Sequence, residues 1–102
     1  MRIEPVHWWC AGIEIRPNLC TAVGDEITWH VHDHPHMTMV TRGRWLMCVR
    51  DGEERELASS SLGGGHVHEW AEIGAGVFHA FRVLELESGV AALTCLWPGG
   101  VK

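Results

Sequence analysis

An all-β fold, a sandwich or barrel of short antiparallel strands, is what this sequence predicts, on three observations. Short runs of β-branched and aromatic residues recur between turn signals. No long helical periodicity interrupts them. Glycine and serine clusters, Gly63-Gly64-Gly65 and Ser88-Gly89 among them, punctuate the runs where turns are needed.

Taken in order, strands are expected over residues 13–16, 27–32, 37–41, 44–50, 53–57, 66–73, 77–85 and 90–97. The clearest hairpin joins the fourth and fifth of these through Asp51-Gly52, a dipeptide that tolerates the positive φ angles of a type I′ turn. Side chains alternate along a strand, so Arg44 and Arg50 put Leu46 and Cys48 on their own face and leave Trp45, Met47 and Val49 for the interior. Cys48 is nevertheless also a core candidate, because it lies inside the apolar run 45–49. The same alternation groups His79, Phe81 and Val83 opposite Arg82.

Histidine spacing carries the chemistry. In the run 28–36, His30 and His32 are two apart, so on an extended strand both imidazoles point to one side about 3.3 Å per residue apart. Asp33 and Pro35 favour a bend that returns His36 beside the pair, and only the tertiary fold supplies His79, which follows Gly74-Ala75-Gly76-Val77-Phe78. Neutral imidazole is the commonest metal ligand. His34 shares the parity of His30 and His32, and a different bend would make it a chelator; otherwise it lines the pocket mouth or faces water. A second His-x-His, His66 and His68, lacks further ligands at a supporting distance and reads as an exposed strand face with Glu72, with Glu69 also solvated. Arg42 and Arg44 are most simply surface charges, although either would suit a carboxylate at a barrel mouth.

The pattern His30-x-His32, three residues, His36, six residues, Gly43 resembles the first motif of the cupin family, and Gly74-Ala75-Gly76-Val77-Phe78-His79 resembles the second, with glycine where a proline is usual. The resemblance covers residues 22–99. It implies a jelly-roll β-barrel closed around a ligand cavity, with His30, His32, His36 and His79 holding one divalent transition metal, and Trp45, Met47, Phe81 and His34 lining the pocket. Most cupins place a glutamate where this chain has His36, so the chain is more similar to small cupins with four histidine ligands. Imidazoles suit Zn, Cu, Fe or Ni, and the resemblance adds Mn. An octahedral ion would keep two positions for a ligand, whereas a tetrahedral one would be closed and structural. Two functions follow as expectations: a mononuclear metal-dependent oxygenase, isomerase or lyase acting on a small oxygen-bearing molecule, or a non-catalytic binding or sensing module. A metal-stabilised structural protein is the third.

Length and composition set the remaining bounds. The chain has 102 residues, 46% of them hydrophobic and 21% charged, which suits one domain with a real core. Its formal net charge of -5 disfavours nucleic acid as a partner. No apolar run approaches the roughly 20 residues that span a bilayer, and the start, Met1-Arg2-Ile3-Glu4-Pro5, lacks the apolar stretch of a signal peptide, so the cytoplasm is the expected compartment. Cys10, Cys20, Cys48 and Cys95 form no Cys-x-x-Cys pair and are expected as free thiols. Residues 1–21, with His7-Trp8-Trp9, are expected as an arm packing on the barrel of residues 22–102 or on a second subunit, and six tryptophans favour a homodimer.

Overall fold

A computed structural model describes residues 2–3, 8–50 and 52–99; His7 and Asp51, which entered the expectations above, lie outside the described residues. Its elements are β1 (Arg2–Ile3), β2 (Trp8–Cys10), β3 (Ile13–Cys20), β4 (Glu26–His30), β5 (His36–Arg42), β6 (Arg44–Val49), β7 (Glu54–Ala58), a single helical turn α1 (Ser60–Gly63), β8 (Trp70–Ile73), β9 (His79–Glu85) and β10 (Ala91–Pro98). The strands form two antiparallel sheets. The larger runs β1-β3-β10-β5-β8, with β2 also paired to β3, and the smaller runs β4-β9-β6-β7.

Alternation explains why the sheets bury one face each. On β5, His36, Thr38 and Val40 are buried while Met37 and Met39 are half-exposed. On β9, His79, Phe81 and Val83 are buried and Arg82 is exposed, and on β6 Trp45 and Met47 are buried. These inward residues join Cys20, Ile27, Leu57, Ala71, Ile73, Ala91 and Leu93 in one core between the sheets. Cys48 is not a core residue: it follows Leu46 on the half-exposed outer parity of β6, as the flanking arginine pattern requires. Cys10 and Cys48 are free thiols.

Gly43 shows why the first motif ends in glycine. It adopts φ +80°, and a Cβ there would lie 2.4 Å from the Glu85 carbonyl oxygen. Its N–H donates to Glu87 Oε1 at 3.0 Å and its carbonyl accepts from the Ser59 N–H at 2.9 Å. The Ser59 hydroxyl also donates to Glu87 Oε1, so one carboxylate closes the turn between β5 and β6. Arg44 pairs with Glu85 and donates to the Leu62 carbonyl, and Arg42 is exposed.

Three local expectations are corrected. The β6–β7 connection is not a type I′ turn, because Gly52 has no positive φ; instead its N–H donates to the Val49 carbonyl at 3.0 Å, closing a turn one step earlier. The strand expected over 66–73 begins only at Trp70, since residues 64–67, His66 among them, form bends and His68 follows them outside any strand. His68 Nδ1 accepts the Ser60 N–H at 3.1 Å, so its ring caps the helical turn and belongs to no strand face. Glu69 is not merely solvated: its Oε1 accepts the Ala58 N–H at 2.7 Å, while its own N–H donates to the Ala58 carbonyl at 3.0 Å.

The first 21 residues include β3, which pairs along its whole length with β10, from Cys20 opposite Ala91 to Ile13 opposite Pro98. β3 is unusual in its polarity. Its buried positions are Glu14, Asn18 and Cys20, with Arg16 half-buried on the same parity, whereas Ile13, Ile15 and Leu19 turn outward.

Candidate metal centre

The histidines gather at one end of the sandwich. His30 is the last residue of β4, His32 lies two residues beyond it, and His79 opens β9 directly opposite His30 in the strand register. A backbone hydrogen bond from the Gly76 N–H to the His32 carbonyl, 2.9 Å, ties the turn of the second motif to the loop of the first. Gly76 itself has φ +76°, the left-handed conformation that glycine permits.

His30, His32 and His79 offer one ligand nitrogen each within 4.8 Å of one another. Zinc–imidazole bonds of about 2.0–2.1 Å allow nitrogen pairs at most about 4.2 Å apart, so closure on such an ion needs shifts of about half an ångström. Two of the rings are oriented for it. His30 Nδ1 donates to the Thr28 carbonyl at 2.6 Å and His79 Nδ1 to the Val77 carbonyl at 2.8 Å. Since a carbonyl only accepts, the proton sits on Nδ1, and Nε2 of each ring presents its lone pair.

His36 stands beside the trio without joining it. Its ring centroid lies 5.3 Å from that of His32 and 5.4 Å from that of His79, and it stacks on Trp97 at 4.0 Å and 15°. Trp97 also meets His32 edge-on at 4.6 Å. His36 Nδ1 and His79 Nε2 are buried with no hydrogen-bond partner, a state that costs about 1–3 kcal/mol for a polar group. The indole N–H groups of Trp45 and Trp97 are also buried without partners. They are donors, and an ion would not relieve them. For a nitrogen lone pair it would, so the donor set fits a transition metal.

Electrostatics favour the metal-ready form. Burial, followed by the neighbouring His30 and His79 and by Arg16, pushes His32 down to about 4. Burial and then His79, His32 and His30 push His36 down to about 3. His79 is also held below the ordinary histidine value, chiefly by burial. These three rings are therefore neutral at pH 7, and a neutral imidazole is the one that coordinates.

Beside the trio lies a cavity of about 250 Å³, walled by His30, His32, Phe81, Trp97, Arg16 and Asn18 among others. Of the pocket residues expected from sequence, Phe81 lines it. Trp45 and Met47 face the core away from it, and His34 is half-buried in the bend and outside its wall. Arg16, Asn18 and Trp97 were not singled out by sequence. For Arg16 and Asn18 the signal was the alternation Glu14-x-Arg16-x-Asn18, legible only once β3 is known to face the cavity.

No protein-family model and no curated protein matches the sequence. Solved structures do resemble the fold. A cupin-2 domain protein from Shewanella frigidimarina is 20% identical with a TM-score of 0.67, covering 92% of this chain and 78% of its own. KdgF from Halomonas sp. is 17% identical with a TM-score of 0.66, covering 95% and 78%. Hydroxypropylphosphonic acid epoxidase from S. wedmorenis is 15% identical with a TM-score of 0.61, covering 84% of this chain but 43% of its own. No described helix is long and apolar enough to cross a membrane. At these identities the likeness is one of fold, and the fold is an all-β jelly roll of the cupin type.

Proposed function

We propose that this protein binds one divalent transition metal through His30, His32 and His79, with His36 as the fourth ligand, and uses it to hold and polarise a small oxygen-bearing molecule in the adjoining cavity. The observation that carries the reading is the pair of Nδ1–H bonds from His30 and His79, which leaves Nε2 of each ring free to coordinate in a cluster whose ligand nitrogens lie within 4.8 Å of one another. Four nitrogen ligands are neutral, so the ion keeps its full charge and attracts anionic oxygen donors. Lewis-acid chemistry of the lyase or isomerase kind, or oxygenation, then becomes accessible. The cavity and the arginine in its wall favour this reading over a sealed structural ion. The epoxidase from S. wedmorenis is an enzyme on the same fold, which supports chemistry at such a site without naming the substrate here.

Elemental analysis of protein purified without an affinity tag or added metal tests the reading. About one transition-metal ion per chain is expected. Alanine at position 30, 32, 36 or 79 should reduce the metal content sharply, whereas His66→Ala and His68→Ala should not. Loss confined to the first, second and fourth of those variants would leave a three-histidine site, and equal loss in the His66 and His68 controls would overturn the assignment.

A further inference from the structure

We infer that Arg16 is an anion-binding group in the wall of the metal-side cavity, so that the ligand is a compact acid with a chelating oxygen pair at one end and a second carboxylate at the other. The inference rests on the metal reading above and adds the ligand's chemical class.

The argument begins with an inversion of polarity. A strand inside a two-sheet sandwich normally turns apolar side chains inward, yet β3 turns Glu14, Arg16 and Asn18 inward and Ile13, Ile15 and Leu19 outward. Glu14 and Asn18 are 4% and 6% exposed, so this polar stripe is buried at a desolvation cost. Arg16 and Asn18 line the same cavity as His30 and His32. Asn18 is occupied, donating Nδ2–H to the Leu93 carbonyl at 3.2 Å. The guanidinium is held differently: its Nε donates to the buried Glu14 carboxylate, while its terminal nitrogens donate to no described residue. A guanidinium carries five N–H groups, and the terminal ones suit a bidentate carboxylate. Glu14 fixes the plane of the fork.

Size agrees. A cavity of about 250 Å³ has the room of roughly eight water molecules at about 30 Å³ each. That admits an acid of a few carbons. One end of such a molecule would meet the ion and the other the Arg16 fork.

The test uses the metal-loaded protein and two probes, malate and lactate. Both offer a 2-hydroxycarboxylate for chelation, and only malate has the second carboxylate. Binding is read by calorimetry at one pH above seven, after metal content has been measured. Malate is expected to bind about tenfold or more tightly than lactate. Arg16→Gln should remove that difference with metal content unchanged, and Arg16→Lys should restore part of it. Equal affinity for the two acids in the wild-type protein, which needs no variant to fold, overturns this inference alone. A gap that persists in a folded, metal-loaded Arg16→Gln variant overturns it too. Wild-type protein that takes up no metal overturns the metal reading, and this inference with it, before any acid is added.

Discussion

His30 and His79 face each other across β4 and β9, and each donates its Nδ1–H to the carbonyl two residues before it, that of Thr28 and that of Val77. The same local device is thus used twice, on two strands of one sheet, and it sets both rings at a centroid distance of 4.1 Å. Neither bond requires a partner side chain. The tautomers are fixed by the backbone alone, so they depend on the integrity of the strand pair.

The closest backbone approach makes the first prediction. Gly43→Ala should destabilise the protein by about 3 kcal/mol, combining the left-handed φ with overpacking against the Glu85 carbonyl. Gly76→Ala, with a similar φ but nothing within 4 Å of the new Cβ, should cost about 1–2 kcal/mol. Urea unfolding of both variants checks the ranking. Equal losses would mean that the contact at Gly43 does not matter.

Stability of the metal-free protein should fall as the solution is acidified below pH 6.5. The ordinary histidine value is 6.5, and His32 and His36 are pushed down to about 4 and about 3 in the folded state. Between those values the unfolded chain binds protons that the folded chain refuses, so stability is full above 6.5 and is lost as pH falls toward 3. The buried His36 alone should account for about 2 kcal/mol between pH 6.5 and 5. Glu87, held below the ordinary carboxylate value mainly by its hydrogen bond from Ser59, adds a loss of the same sign at the acid end of that window. Urea midpoints at pH 7.5, 6 and 5 measure the effect, and a midpoint that rises on acidification would contradict it.

We propose a homodimer through the outer face of the larger sheet. Cross-strand partners share a face, and the register Trp8–Ile15–Leu96–Met37, flanked by Met39–Trp70, lays an apolar band across four strands and the edge strand β8. Trp8 and Trp70 are 59% and 45% exposed, and a second copy of the same face would cover them. Light scattering at micromolar concentration should give twice the chain mass, and Trp8→Lys with Trp70→Lys should halve it. A wild-type monomer across that range would refute the proposal.

How legible the molecule was depends on which residues are considered. Strands from β4 onward follow side-chain parity, because Trp45, Met47, Phe81 and Val83 occupy alternate, apolar, inward positions. Spacing along one strand paired His30 with His32, whereas His79, which the structure brings to them, was supplied only by the resemblance of its turn to a family motif. β3 was legible only as a strand over 13–16: its apolar residues face outward, and parity alone cannot say which face is buried. His36 reaches the neighbourhood as expected, but its stacking on Trp97, a residue 61 positions away in sequence, sets its ring, and no local pattern encodes that contact. Gly63-Gly64-Gly65 read as a break inside a loop, whereas Gly64 ends a helical turn capped by Ser59.

The hydrogen bond from Gly76 to the His32 carbonyl bears on the order in which the site comes into being. During synthesis His30 and His32 emerge long before His79, and two imidazoles two residues apart hold an ion only weakly. His79 arrives when β9 has paired with β4, and the Gly76 amide then locks the earlier loop against the later turn. On the metal reading proposed above, the complete ligand set therefore exists only once the two sheets have closed. A chain truncated before β9 would lack His79 and should hold the ion more weakly than a finished molecule.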